Sequence, residues 1–202
     1  MQEVRKWLEQ SREYGFLGPG PVDDHIEHAL GFADVVGEAP EAIVDLGSGG
    51  GVPGLVLAAL WPRASFVLLD SNERRTGFLR EAVTDLGWEG RVDVMRLRAE
   101  VAGREDVLRG RFPLVVARSF GAPPVAAECA APLLRVGGRF VVSEPPSEEQ
   151  PRWPEDGLAL LGLRLSARAE ARGAGYVLLT QHEACPERYP RREGIPGKRP
   201  LW

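Results

Sequence analysis

Short apolar runs rich in Val, Ile, Leu and Phe alternate along this chain with stretches whose apolar residues recur at helical spacing. That alternation predicts an α/β fold, a mostly parallel sheet covered by helices on both faces. Val4, Trp7 and Leu8 share one face of an N-terminal helix, and the turn GFLGPGP separates it from a second helix beginning near Asp23. Strand one is expected at Ala42 to Leu46, followed by a glycine-rich loop and a helix from Leu55 to Trp61 that Pro62 stops. Pro53 suits the first turn of that helix, where no amide hydrogen is needed. Strand two is expected at Ser65 to Asp70, before a helix with Phe78, Leu79, Ala82, Val83 and Leu86 on one face and Gly87 at its end. Val92 to Leu97, Leu114 to Ala117 and Arg139 to Ser143 supply strands three to five, with a helix over about Pro124 to Leu134. Pro145, Pro146, Pro151 and Pro154 predict an exposed loop beside the carboxyl end of strand five. The alternation at Leu163, Leu165 and Ala167, then Tyr176 to Thr180 after a Gly173-Ala174-Gly175 turn, predicts a closing antiparallel pair and seven strands in all.

Length and composition add boundaries to this picture. A chain of 202 residues, 44% hydrophobic and 27% charged, is expected to form one globular domain. We divide it into a helical addition over 1–40, a core over 41–184 and a basic tail over 185–202. No apolar run approaches a bilayer span, and the charged N-terminus lacks the apolar centre of a secretory signal, so a cytoplasmic location without membrane contact is expected. Cys129 and Cys185 stand alone without metal-ligand spacing, and no metal site is expected. The net charge of -4 argues against coating nucleic acid by bulk charge. Yet Arg188, Arg191, Arg192, Lys198 and Arg199 face only Glu193 in the last fifteen residues.

Candidate chemistry concentrates after strand one. Open α/β sheets bind ligands at the carboxyl ends of their strands. The loop Gly47-Ser48-Gly49-Gly50-Gly51 combines backbone freedom with close approach to a ligand. Gly49, Gly51 and Gly54 also satisfy G-x-G-x-x-G, so a nicotinamide dinucleotide is a rival ligand. Asp45 turns the choice toward S-adenosylmethionine. A carboxylate directly before the loop would repel a pyrophosphate, whereas S-adenosylmethionine carries an ammonium and a sulfonium and no phosphate. Asp70 closes strand two, where it can accept both ribose hydroxyls, with Ser71 beside it. Ala99 and Glu100, after strand three, are expected to frame the adenine, and Pro53 belongs to the same cofactor set.

The segments DLGSGGGVPGLVLA, LLDSNERRTGFLREAV, LRAE, ARSF and YPRREGIPGKRPL together resemble the ribosomal small-subunit methyltransferase G family, also called glucose-inhibited division protein B. The resemblance covers the chain from about His25 to Leu201. It implies a Rossmann-like class I methyltransferase fold and methylation of N7 of a guanine in 16S ribosomal RNA, with ribosomal RNA or the small subunit as partner. Guanine N7 has an unshared pair and no proton to remove, so the reaction needs placement rather than a general base. The Asn/Asp-Pro-Pro-aromatic signature of adenine N6 methylation is absent after strand four, where Ala117-Arg118-Ser119-Phe120 stands.

On this reading Arg118 positions the substrate and borders the cofactor, its fixed donor fork suited to a guanine edge or a phosphate. Phe120 is expected to stack on a base. His25 matches a family histidine and joins the expected substrate contacts, with Arg191, Arg192, Lys198 and Arg199 reaching RNA phosphates. The chain departs from the family pattern where His28 and Ala29 replace an Asp and a Ser. Ser143-Glu144 also stands where Lys-Gly is usual. Two other functions remain open from sequence: methyl transfer to a small molecule or a protein, and a non-catalytic RNA-binding assembly factor.

Overall fold

The computed structural model describes residues 1–145 and 152–202. Pro146 and Pro151, expected in the loop after strand five, lie outside the described residues.

Seven strands form one sheet: β1 (Ala42–Leu46), β2 (Ser65–Asp70), β3 (Val92–Arg96), β4 (Phe112–Ala117), β5 (Leu134–Glu144), β6 (Leu163–Ala171) and β7 (Ala174–Gln181). Their order is β3-β2-β1-β4-β5-β7-β6. The first five run parallel to one another, and β7 is antiparallel to both β5 and β6. The helices are α1 (Gln2–Glu13), α2 (Val22–Val36), α3 (Gly54–Leu60), α4 (Glu73–Asp85), α5 (Ala99–Ala102), α6 (Pro123–Ala130), α7 (Glu155–Ala159) and α8 (Ile195–Lys198).

Alternate residues of the central strands feed two cores. Ile43 joins the core beneath α1 to α4, whereas Val44 and Leu46 join the one beneath α5 to α7. Because both faces are covered, β4 is buried along its whole length and reads in sequence as an unbroken apolar run. α4 begins where the Asn72 side chain accepts from the Arg75 amide at 3.1 Å, satisfying one free donor of the first turn.

Three expectations need correction. β5 starts at Leu134 rather than Arg139, and the helix before it ends at Ala130, followed by one 3-10 turn over Ala131–Leu133. The short helices α5, α7 and α8 were not expected. The basic tail expected over 185–202 packs against the body. The Arg109 guanidinium donates to the carbonyls of Cys185 at 2.9 Å, Pro186 at 3.1 Å and Tyr189 at 2.8 Å. Farther on, the Trp202 indole donates to the Arg152 carbonyl at 3.1 Å, and its ring lies where a side chain on Gly157 would have to be. The chain after β7 is therefore a strap wound across the α5 and α6 face.

Candidate active site

The strand order reverses between β1 and β4, and the site is built at their carboxyl ends. After β1 the chain turns sharply, with the amides of Gly47 and Ser48 both donating to the Leu69 carbonyl, at 2.8 and 3.0 Å. Gly47 has φ +77, and a Cβ there would lie 2.5 Å from the Phe120 ring. Only glycine meets both demands. The Ser48 hydroxyl donates to the Asp45 carbonyl at 2.9 Å and stiffens the turn. From outside, Ser11 of α1 donates to the Gly50 carbonyl at 2.9 Å, so the N-terminal helices brace the loop.

Two aspartates hold the loop in different ways. Asp70 accepts from the Gly49 amide at 2.9 Å and from the Asn72 amide at 2.8 Å, one bond to each oxygen. It lies on the wall of a cavity of about 430 Å³ that also takes in Gly47, Ser71, Ala99 and Glu100. Asp45 is fully buried and does not line that cavity; one of its oxygens accepts from the Gly54 amide at 2.9 Å. Its other oxygen has no partner among the described residues. Burial pushes the Asp45 pKa up to about 7, with Asp70 nearby adding to the rise.

The opposite side of the cavity comes from the C-terminal strap. Gly194, Gly197 and Lys198 line it, and the Glu100 carboxylate accepts from the Gly194 amide at 3.0 Å. Glu100 thereby fastens the strap to the floor beneath it. Sequence reading foresaw Lys198 as an RNA contact only, and it missed Gly194 and Gly197. The signal lay in the Gly-x-x-Gly spacing within EGIPGK, which the surrounding charges obscured.

Beyond β4, Ser119 adopts φ 53, a left-handed conformation unusual for a residue with a side chain. This bend swings Phe120 between the first cavity and a second one of about 610 Å³. Ser119 and Phe120 are the two residues common to both. The second cavity runs toward the end of β5, where Ser143 and Glu144 line it together with His28 and Trp153.

Arg118 lines neither cavity. Its Nη2 lies 2.6 Å from Nδ1 of His25, whose Nε2 is 3.1 Å from the Gly18 carbonyl. Burial, then the neighbouring Arg118 charge, hold the His25 pKa below its usual value. A neutral ring with the proton on Nε2 satisfies both contacts: it donates to Gly18 and accepts from Arg118. Nη1 of Arg118 is buried without a partner among the described residues.

The sequence-predicted residues thus divide. Gly47, Asp70, Ser71, Ala99, Glu100 and Phe120 come together at the first cavity, while Ser48, Gly49, Gly51, Pro53 and Asp45 shape the loop behind it. His25, expected to touch substrate, is only 4% exposed and steadies Arg118 instead. Arg191, expected to reach phosphates, is committed to Glu128, a fully buried carboxylate that accepts from its amide at 2.7 Å and its Nη2 at 2.7 Å. Arg192, Lys198 and Arg199 remain exposed.

A seven-stranded sheet of this order with a reversed last pair, and a cavity between a glycine loop and an acid closing β2, define a class I S-adenosylmethionine-dependent methyltransferase fold. The fold is similar to that of the 16S rRNA N2 methyltransferase RsmC of T. thermophilus in complex with AdoMet and guanosine. The TM-score is 0.53 at 21% identity, over 78% of this chain and 39% of that one. The family described as rRNA small subunit methyltransferase G matches residues 21–150, and the chain belongs to it. A ribosomal RNA small subunit methyltransferase G from Rubrobacter xylanophilus is 41% identical over 79% of this chain and 64% of its own length, just under two thirds. One from Symbiobacterium thermophilum is 36% identical over 98% of this chain and 86% of its own. No helix among the described residues is long and apolar enough to cross a membrane.

Proposed function

We propose that this protein transfers a methyl group from S-adenosylmethionine to N7 of a guanine in 16S ribosomal RNA, in the cytoplasm. One observation carries the reading: two cavities meet at Ser119 and Phe120, neither of which titrates near neutral pH. Such a wall suits a transfer that needs alignment of nucleophile and methyl without proton removal. Relatives named as ribosomal RNA small subunit methyltransferases support ribosomal RNA of the small subunit as the acceptor.

The residues present fit the cofactor. It supplies, when bound, a methyl group carried on a sulfonium sulfur. Each Asp70 oxygen uses one acceptor site on a backbone amide and keeps another for a ribose hydroxyl. Gly47 lets the loop backbone approach closely. Asp45 and Arg118 lie outside the lining of both cavities; each keeps a buried polar atom without a partner among the described residues, and an ionised Asp45 and the Arg118 guanidinium would act on the ammonium and carboxylate of a methionine end through charge rather than contact. Phe120 offers a ring face to the acceptor base, and exposed Arg192, Lys198 and Arg199 offer charge to its phosphates.

Labelled-methyl transfer to fractionated RNA, small-molecule and protein pools tests the proposal. Label should enter small-subunit RNA, at a guanine whose N7 methylation renders the strand cleavable by reduction and aniline. Label confined to small molecules or proteins, or cofactor binding without transfer to any pool, overturns it.

A further inference from the structure

The second cavity ends at a carboxylate that the transfer itself does not use. Glu144 is the last residue of β5, its side chain 11% exposed. One oxygen accepts from the Trp153 indole at 3.1 Å. The other faces Arg152 at 3.5 Å and Arg168 at 3.9 Å, charge contacts longer than a good hydrogen bond. A carboxylate has about four acceptor positions, so among the described residues this one is held in place with most of its capacity unspent.

Its position along the sheet fits a base. Ala117, the end of β4, pairs with Val142. Glu144 therefore lies two residues farther out, about 7 Å at the usual strand rise. A purine whose five-membered ring sits at the Ser119–Phe120 wall would carry its opposite, Watson–Crick edge toward Glu144. Trp153 and Pro123 supply apolar cover along that path. His28 lines the same cavity, and its Nε2 is buried without a partner among the described residues.

Of the four RNA bases, guanine alone presents two adjacent donors, N1–H and the 2-amino group. Adenine and cytosine each set a donor beside an acceptor, and uracil sets one N–H between two carbonyls. A rigidly held carboxylate accepts from the first arrangement and repels the others. We propose that Glu144 is a specificity residue that reads the N1–H and 2-amino edge of the guanine being methylated, resting on the function proposed above.

The test compares 16S RNA carrying guanine at the mapped methylation position with RNA carrying a single inosine there, which keeps N7 and N1–H but lacks the 2-amino group. Wild type should favour guanine by about tenfold to a hundredfold in kcat/KM, the worth of one hydrogen bond to a charged group. Glu144→Gln should lose a similar factor on guanine RNA, with the guanine-to-inosine ratio collapsing toward one and the thermal shift on adding S-adenosylmethionine unchanged. Wild-type indifference to inosine overturns the assignment without any variant. So does a Glu144→Gln protein that binds cofactor normally and keeps the wild-type ratio. If the wild type makes no N7-methylguanine at all, the functional reading fails first and this one falls with it.

Discussion

Asp45 packs a titratable group behind the glycine loop, and its raised pKa follows chiefly from burial, with the Asp70 charge adding to it. Below about pH 7 the folded protein keeps this carboxyl protonated, while the unfolded chain releases the proton near the ordinary carboxylate value. Stability from this residue is thus present at acidic pH and declines as pH rises toward 7. A cationic ligand reverses the preference, since positive charge nearby favours the ionised form. Affinity for S-adenosylmethionine should therefore rise about severalfold between pH 6 and 7.5, measured by calorimetry. Asp45→Asn should flatten that rise; a wild-type affinity that stays level across the window contradicts the argument. His28, pushed down to about 4 by burial and by Arg118, stays neutral throughout and does not contribute. Sequence reading found Asp45 from its place before the loop, but it did not foresee that the side chain would be wholly buried behind the cavity lining. The bond from the Gly54 amide that turns one oxygen away depends on the entry of α3, which no local pattern reveals.

Among the elements, the strands were legible because both faces of the sheet are buried and the apolar runs are correspondingly unbroken. β5 was read short, since Arg135, Gly137 and Gly138 resemble a turn; the register between β4 and β5 shifts there, between Phe112 and Leu114. Helices of four or five residues, such as α5 and α7, are too brief to show a period. The strap was misread for a different reason. Its arginines look like a solvated run, and nothing local connects Arg191 with Glu128, sixty-three positions earlier. Glu128 is wholly buried on α6, so Arg191→Ala would strand its charge. That should cost about 3–5 kcal/mol. Urea unfolding would measure it, and a Glu128→Gln/Arg191→Ala double variant should recover much of the loss. Equal losses in the single and double variants would mean that the pair does not couple strap to body.

At the scale of the whole molecule, a net charge of -4 coexists with exposed cations on the strap that borders the first cavity. RNA binding should accordingly depend on a local patch rather than on overall charge. Replacing Arg192, Lys198 and Arg199 together by alanine should weaken RNA binding at low salt and reduce the slope of log affinity against log salt by about two to three. An unchanged slope would place the RNA elsewhere on the surface. The same strap has a consequence for the order in which the working protein comes into being. Synthesis runs from the N-terminus, so the glycine loop, Asp70 and the lining of the second cavity leave the ribosome well before Gly194 and Lys198. Until those residues emerge and Arg191 locks onto Glu128, the nascent chain has a first cavity with one wall missing and a bare carboxylate in its core.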